Sequence, residues 1–193
     1  TWVRALNDML PDAVVVRHAE QVDAAFHPRH SARGKTYVYE LWCGAARDPF
    51  LADRSWHVQL PRGRRVDVAG MQAAAALLVG EHDFSSFQAA GCDARGTVRH
   101  LWAVEVHEVR PEFLRVVVSG SAFLKYMVRN IVGTLAEVGR GRRPVAWVGE
   151  VLAARDRRAG GPTAVPQGLT LVEVRYPDFP WFGFAGDRPS VTP

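Results

Sequence analysis

The segment FLKYMVRNIVGTL, from Phe123 to Leu135, carries the clearest helical pattern of this chain. Its apolar residues recur three and four positions apart, which predicts an amphipathic helix with one buried face. Arg129 interrupts the apolar pattern between Met127 and Ile131, both of which are predicted to be buried. Because an unpaired charge is very unfavourable inside a protein, we expect Arg129 to reach solvent or to pair with an acid.

The order of the other predicted elements places the chain in the α+β class. Strands are predicted at 36–43, 98–109, 113–118 and 169–176, and helices at 68–79, from 123 to about 139, and at 145–154. Asp67 is a plausible N-cap and Gly80 a stop for the first of these helices. From Thr36 onward the order is β-α-β-β-α-α-β. Apart from the extra helix, this is the split β-α-β pattern of ferredoxin-like domains, with an antiparallel sheet and helices on one face.

The first residues read as part of a different domain. Residues 2–10 are typical of the end of an amphipathic helix stopped by Pro11, and residues 13–22 are predicted to form a strand. The chain lacks an initiator Met and opens within this helix. We therefore expect residues 1–25 to be the tail of a truncated N-terminal ferredoxin-like domain, and residues 26–193 to form a C-terminal catalytic and RNA-binding domain. The aromatic stretch that begins at Pro177 either packs against the rest of the domain or remains an exposed apolar segment.

Composition favours a globular protein with a weak preference for polyanions. The formal net charge is +4, and 48% of the residues are hydrophobic, with no apolar run long enough to span a bilayer. Arginine suits phosphate contact, although arginine-favouring codons explain its abundance equally well. The two cysteines lack metal-ligand spacing and no secretory signal is present, so we expect reduced thiols, a cytoplasmic location, and neither metal nor membrane.

Four sequence blocks, in order, resemble the TruA family of tRNA pseudouridine synthases. The blocks are FHPRHSA at 26–32 with KTYVY at 35–39; GEHDFSSF at 80–87 with AAGC at 89–92 and TVR at 97–99; the helix from Phe123; and PQGLTLV at 166–172. The family's G-R-T-D-x-G-V-H-A loop, which carries the nucleophilic aspartate, does not occur in the chain. The resemblance therefore implies that this aspartate lies upstream of Thr1 and that the chain alone is inactive.

The resemblance implies a pseudouridine synthase fold and an isomerase that needs no cofactor. The family acts on tRNA, at roughly positions 38 to 40 of the anticodon stem-loop, and works as a homodimer. Whether the aspartate attacks C1′ of the ribose or C6 of the base remains open.

The resemblance also assigns roles to individual residues. Tyr37 matches the family's active-site tyrosine, which stacks on uracil and serves in proton transfer at C5, and Arg129 matches the arginine that pairs with the nucleophilic aspartate. Leu169 matches the apolar residue beneath the target base. Further residues match segments that touch tRNA: Phe26, His27, Arg29, Gln88, Ala89, Ala90, Gly91 and Cys92. Asp83 is expected to cap the next turn rather than to act as the nucleophile.

Two other functions remain open. The first is a non-catalytic RNA-binding module derived from the same fold, and the second is a ferredoxin-like regulatory domain that binds a small molecule. The regulatory domain has no need of Tyr37 and Arg129 in these contexts. Salt-dependent tRNA binding separates it from the other two functions.

Overall fold

A computed structural model describes residues 2–92 and 94–177, and the aromatic C-terminal stretch lies almost entirely outside these ranges. The chain forms two compact units, Thr1–Ser31 and a larger one that begins at Ala32. Helix α1, Trp2–Met9, confirms the helix predicted at the start of the first unit.

The strand predicted at 13–22 is wrong, because the structure has no regular secondary structure there. Instead of a partner strand, the side chain of Asn7 holds this segment: its amide donates to the Val16 carbonyl oxygen at 2.8 Å and accepts from the Val16 N–H at 2.7 Å. Val14 and Val15 are exposed, so the alternating residues that suggested a strand have no face to bury.

The second unit contains, within the described residues, a six-stranded sheet. Its strands are β1 Gly34–Trp42, β2 Trp56–His57, β3 Gly80–Asp83, β4 Val98–Arg110, β5 Phe113–Gly120 and β6 Leu169–Arg175. The strand order is β2-β1-β5-β4-β3, and β6 also pairs with β1. All pairings are antiparallel except that of β1 with the two-residue β2. This arrangement confirms the α+β class.

One face of the sheet forms the core. The residues that point to it from β1, β4 and β5 are buried and belong to one cluster with residues of the helices: Tyr39, Leu41, Val104, Val106, Leu114, Val116 and Val118. The other face carries polar pairs, such as Glu40 with Arg115 at 2.8 Å. The period-2 alternation of the strands thus separates a helix-covered face from an open one.

The helices are α2 Val68–Ala76, α3 Met127–Gly139 and α4 Ala146–Ala154. Asp67 caps α2 by accepting from the Gly70 N–H at 2.8 Å, as predicted, but α2 ends three residues before its predicted end at Val79. Residues 77–79 continue as tight turns. Strand β3 was not predicted from the sequence, because four residues are too few to show a period.

Helix α3 begins at Met127 and not at Phe123. Tyr126 adopts a left-handed conformation with φ of 61°, which an α-helix of L-residues cannot contain. The preceding residues are held elsewhere: the Lys125 carbonyl accepts from the Ala89 N–H at 3.0 Å, and the Phe123 ring packs against Tyr37. Tertiary contacts therefore override the helical pattern of the first four residues.

The middle of α3 lies directly against the segment 161–164. A Cβ atom on Gly133 would collide with the Pro162 carbonyl oxygen, and the Gly161 N–H donates to the Thr134 hydroxyl at 3.1 Å. Ala164 then forms a backbone hydrogen bond to Arg129 at 3.1 Å. Because backbone meets backbone here, only glycine fits at position 133.

We expect Gly133→Ala to lower the free energy of unfolding by at least about 1–3 kcal/mol, because the 161–164 backbone must move away from α3. Gly149→Ala on α4 is the matched control, since its new Cβ would lie 3.8 Å from the nearest atom. The control should be neutral or stabilising by up to about 1 kcal/mol through better helix propensity. Urea denaturation measures both, and equal effects would contradict the close approach at Gly133.

Candidate active site

Arg129 projects from the first turn of α3 toward the segment 164–165. Its Nε donates to the Ala164 carbonyl oxygen at 2.6 Å, while its own carbonyl accepts from the Ala164 N–H at 3.1 Å. The guanidinium carbon lies 4.6 Å from the centre of the Tyr126 ring. The Ala164 carbonyl therefore holds the guanidinium at one edge, and the Tyr126 ring holds it on one face.

The terminal nitrogens of Arg129 have no carboxylate within salt-bridge distance among the residues that the structure describes. A half-buried guanidinium that is already oriented, with its terminal nitrogens left over, is well suited to a two-point contact with an anion. Pairing with a catalytic aspartate, as the sequence predicts, stays a prediction.

Tyr37 lies on the core face of β1, near the edge of the helix layer. Its ring meets Phe123 edge-to-face with centroids 5.0 Å apart, and its strand partners are Val118 on β5 and Leu171 on β6. The side chain is half-buried, and its hydroxyl has no hydrogen-bond partner within the described residues. Burial raises the pKa of this hydroxyl above its ordinary value, so Tyr37 is a neutral phenol at physiological pH.

Tyr39, two residues further on the same face, has a different role. It is fully buried and donates from its hydroxyl to the Val165 carbonyl oxygen at 2.6 Å. Gly168 lies directly over the ring, because a Cβ there would stand 2.6 Å from a carbon of Tyr39. The glycine of the PQGL motif thus lets Tyr39 fix the 165–168 segment next to Arg129.

Leu169 follows immediately and opens β6, half-buried and packed against the core, opposite Tyr39 in the register. Its neighbour on the same face, Leu171, is 48% exposed and lies opposite Tyr37. An apolar strip of β6 therefore runs beside the tyrosine, which fits the floor of a site for a flat, partly apolar group such as a base.

The loop 88–92 is tied to the same region. The Ala89 N–H donates to the Lys125 carbonyl oxygen, next to Tyr126. Ala90 and Gly91 are exposed at the tip, with Gly91 in a left-handed conformation at φ of 66°, and Gln88 and Cys92 are half-buried. Tyr126 thus lies between Arg129 and this loop, which the sequence predicted only as separate contacts, and Tyr126 itself had no predicted role.

Asn130 holds the site together, and sequence reasoning missed this residue. It is 1% exposed and donates to the Phe87 carbonyl oxygen at 2.7 Å, while its side-chain oxygen accepts from Thr163 at 2.6 Å and from Arg157 at 3.1 Å. It thereby joins α3 to the start of the 88–92 loop and to the segment that holds Arg129. The signal available in the sequence was an amide within an apolar stripe, which requires buried partners.

Phe26, His27 and Arg29 belong to the first unit, where they form a local turn. The His27 ring nitrogen accepts from the Arg29 N–H at 3.1 Å, and the ring lies 4.3 Å from that of His30. Contact of these residues with RNA stays a prediction.

Asp83 caps the following turn, as predicted. It accepts from the Ser85 N–H at 3.0 Å and from the Ser85 hydroxyl at 2.5 Å, and these bonds lower the pKa of its carboxyl. Within residues 2–92 and 94–177, no group of three His, Cys, Asp or Glu side chains could hold a metal. In the same ranges, no helix combines the length and apolarity needed to cross a membrane.

A family model described as tRNA pseudouridine synthase matches residues 74–177, which include Arg129, the 88–92 loop and β6. Tyr37 lies before this range.

Relatives named tRNA pseudouridine synthase A cover nearly all of the chain. The protein of Ralstonia nicotianae is 51% identical over 178 residues, which is 92% of this chain and 65% of the relative. Those of Bordetella parapertussis and Myxococcus xanthus are 48% and 47% identical over 92% and 93% of this chain, and 64% and 66% of their own lengths. The chain thus spans slightly less than two thirds of these relatives.

We expect Asn130→Ala to lower the free energy of unfolding by about 2–4 kcal/mol, because the buried Phe87 carbonyl loses its donor and Thr163 and Arg157 lose a shared acceptor. Gln72→Ala, which removes a single half-buried bond to the Val106 carbonyl, is the control and should cost about 1 kcal/mol. Denaturant unfolding measures both. Equal losses would show that Asn130 is not the junction described above.

Proposed function

Because this chain belongs to the tRNA pseudouridine synthase family, we propose that the protein converts uridine to pseudouridine in tRNA. The observation that carries the proposal is that adjacent carbonyls tie Arg129 to the strand of Tyr37. Tyr39, two residues along β1 from Tyr37, bonds to the Val165 carbonyl, and Arg129 bonds to the carbonyl of Ala164. Phe123 packs on Tyr37 and lies three residues before Tyr126, whose ring contacts the Arg129 guanidinium.

The reaction is an isomerisation in which the bond from ribose C1′ to uracil N1 breaks, the base turns, and a bond from C1′ to C5 forms. The C5 proton is lost and N1 takes up a proton, so no cofactor is required. The target base must leave the RNA stack at a cost of a few kcal/mol, which stacking on an aromatic ring offsets.

Each site residue has a role in this proposal. Tyr37 stacks on the uracil, and its neutral hydroxyl relays the C5 proton by accepting it while releasing its own. Arg129 holds the nucleophilic aspartate in its ionised form and fixes its direction. Leu169 packs beneath the base. Arg29, Phe26 and His27, with the 88–92 loop, contact the RNA around it.

The finer assignments rest on the family resemblance. We propose that the modified uridines lie at roughly positions 38 to 40 of the anticodon stem-loop, that the protein works as a homodimer, and that it acts in the cytoplasm. Residues 26–193 correspond in this proposal to the C-terminal catalytic domain, and the first 25 residues to the end of the preceding one.

Variants of Tyr37 in the product of the complete gene test the proposal. Tyr37→Phe should fold normally and bind an anticodon stem-loop, but lose most turnover because the relay hydroxyl is gone. Tyr37→Ala should in addition weaken binding by about 1–3 kcal/mol through the lost stacking. Pseudouridine content after incubation measures turnover, and titration with a stem-loop measures binding.

Tyr39→Phe is the matched control, since it removes a hydroxyl from the same strand face that is bonded to Val165. It should reduce stability, but the folded protein should keep most of its turnover, because Ala164 and Tyr126 still hold Arg129. Full activity of both Tyr37 variants would refute the assigned role. Binding of tRNA by the wild type without any product would favour the non-catalytic RNA-binding module.

A further inference from the structure

Two arginine-rich segments, distant in sequence, meet at the far end of α3. The first, residues 61–67, precedes α2, and the second, residues 137–143, ends α3. The Asp67 N–H donates to the Gly139 carbonyl oxygen at 2.9 Å, and Nη1 of Arg64 lies beside Gly141, 3.2 Å from the place of a Cβ. We call this surface the arginine patch; its members are Arg62, Arg64, Arg65, Arg140, Arg142 and Arg143.

The carboxylates of the two segments neutralise little of this charge. Glu137 is shared by Arg140 at 2.9 Å and Arg142 at 3.3 Å. Asp67 is occupied by capping α2. Six arginines against two carboxylates leave a surplus of four positive charges within the two segments.

Helix stability explains only part of the patch. Arg140 is largely covered and lies 5.4 Å from the Trp56 ring, and Arg142 is paired, so both favour the C-terminus of α3. The other four, all exposed, have no carboxylate within salt-bridge distance in the part of the chain that the structure describes: Arg62, Arg64, Arg65 and Arg143. Repulsion between unpaired like charges destabilises such a surface, and a bound polyanion would relieve this repulsion.

The position of the patch and the side chains around it indicate which class of polyanion binds there. Arg143 lies 5.0 Å from the Trp147 ring, so the patch offers an aromatic–guanidinium surface as well as charge. Arg129 and the patch occupy opposite ends of α3. The rise along α3 from Arg129 to Gly139 is about 15 Å, a distance that covers several phosphates of a nucleic-acid backbone.

We propose that the arginine patch is a second RNA-binding surface, which holds the phosphate backbone of the tRNA at a distance from the base bound beside Arg129. This inference rests on the proposed function for the identity of the RNA. The patch supplies affinity through released counterions and orients the tRNA, while the Tyr37 and Arg129 region selects the base.

The test compares two charge-matched double variants of the product of the complete gene. Arg64→Gln with Arg143→Gln removes one unpaired charge from each patch segment. Arg110→Gln with Arg115→Gln removes two charges from the β4–β5 hairpin, where they pair with Asp48 and Glu40. Fluorescence anisotropy gives the Kd for an unmodified tRNA transcript between about 50 and 200 mM salt.

The patch variant should bind about tenfold more weakly at low salt, and its slope of log Kd against log salt should fall by about 1.5, since two phosphate contacts are lost. Its melting temperature without RNA should not decrease, because like-charge repulsion is relieved. The control should change Kd by less than about twofold. Equal losses in both variants, or no loss in the patch variant, would overturn the inference.

Pseudouridine formation at saturating tRNA separates this inference from the proposed function. If the wild type forms product and the Kd of the patch variant is unchanged, the arginine patch is not an RNA-binding surface, and the proposed enzymatic function stands. If the patch variant binds tRNA more weakly but the wild type forms no product, the patch is an RNA-binding surface and the proposed catalytic function is wrong.

Discussion

The site depends on the backbone contact between α3 and the segment 161–164. Gly133 allows the two backbones to meet, and Ala164 then pairs with Arg129 in both directions, accepting from its side chain and donating to its carbonyl oxygen. The carbonyl of the next residue, Val165, accepts a hydrogen bond from the hydroxyl of Tyr39 on β1. One extended segment is thus fixed by a helix on one side and by a strand on the other, and it orients the guanidinium between them.

Polar bonds, rather than the apolar core, decide where the pieces of the site stand. The core cluster would tolerate small shifts of α3, because the hydrophobic effect depends on the apolar area buried and not on the orientation of the groups. Asn130 removes that freedom, since all its bonds to Phe87, Thr163 and Arg157 are satisfied only in one arrangement. The same residue therefore couples the 88–92 loop to the position of Arg129, and a defect at either place is expected to reach the other.

The charges of the chain are divided between two kinds of environment. Arg129 and Arg157 are partly buried, and each is held by named acceptors, which gives them fixed directions. Four exposed arginines are crowded without matching carboxylates, which would give affinity for a polyanion but little direction: Arg62, Arg64, Arg65 and Arg143. The proposed function uses both kinds, because phosphate contacts position a nucleic acid and directed contacts act on the base.

Sequence alone determined the α+β class, the α2 cap at Asp67 and most of the strands, because these follow from short-range periodicity. Contiguous motifs also suggested roles for Tyr37, Arg129 and Leu169, and these roles stay predictions. Tertiary structure decided the rest. Helix α3 starts at Met127 because Phe123 and Lys125 are held by Tyr37 and Ala89, and residues 13–22 form no strand because the Asn7 side chain takes the place of a partner. Likewise, Asn130 acquires its role from Phe87, Thr163 and Arg157, and the arginine patch exists only because the end of α3 meets the start of α2. Contacts between residues far apart in the chain leave no periodic signal in one sequence, and for that reason only the folded structure shows them.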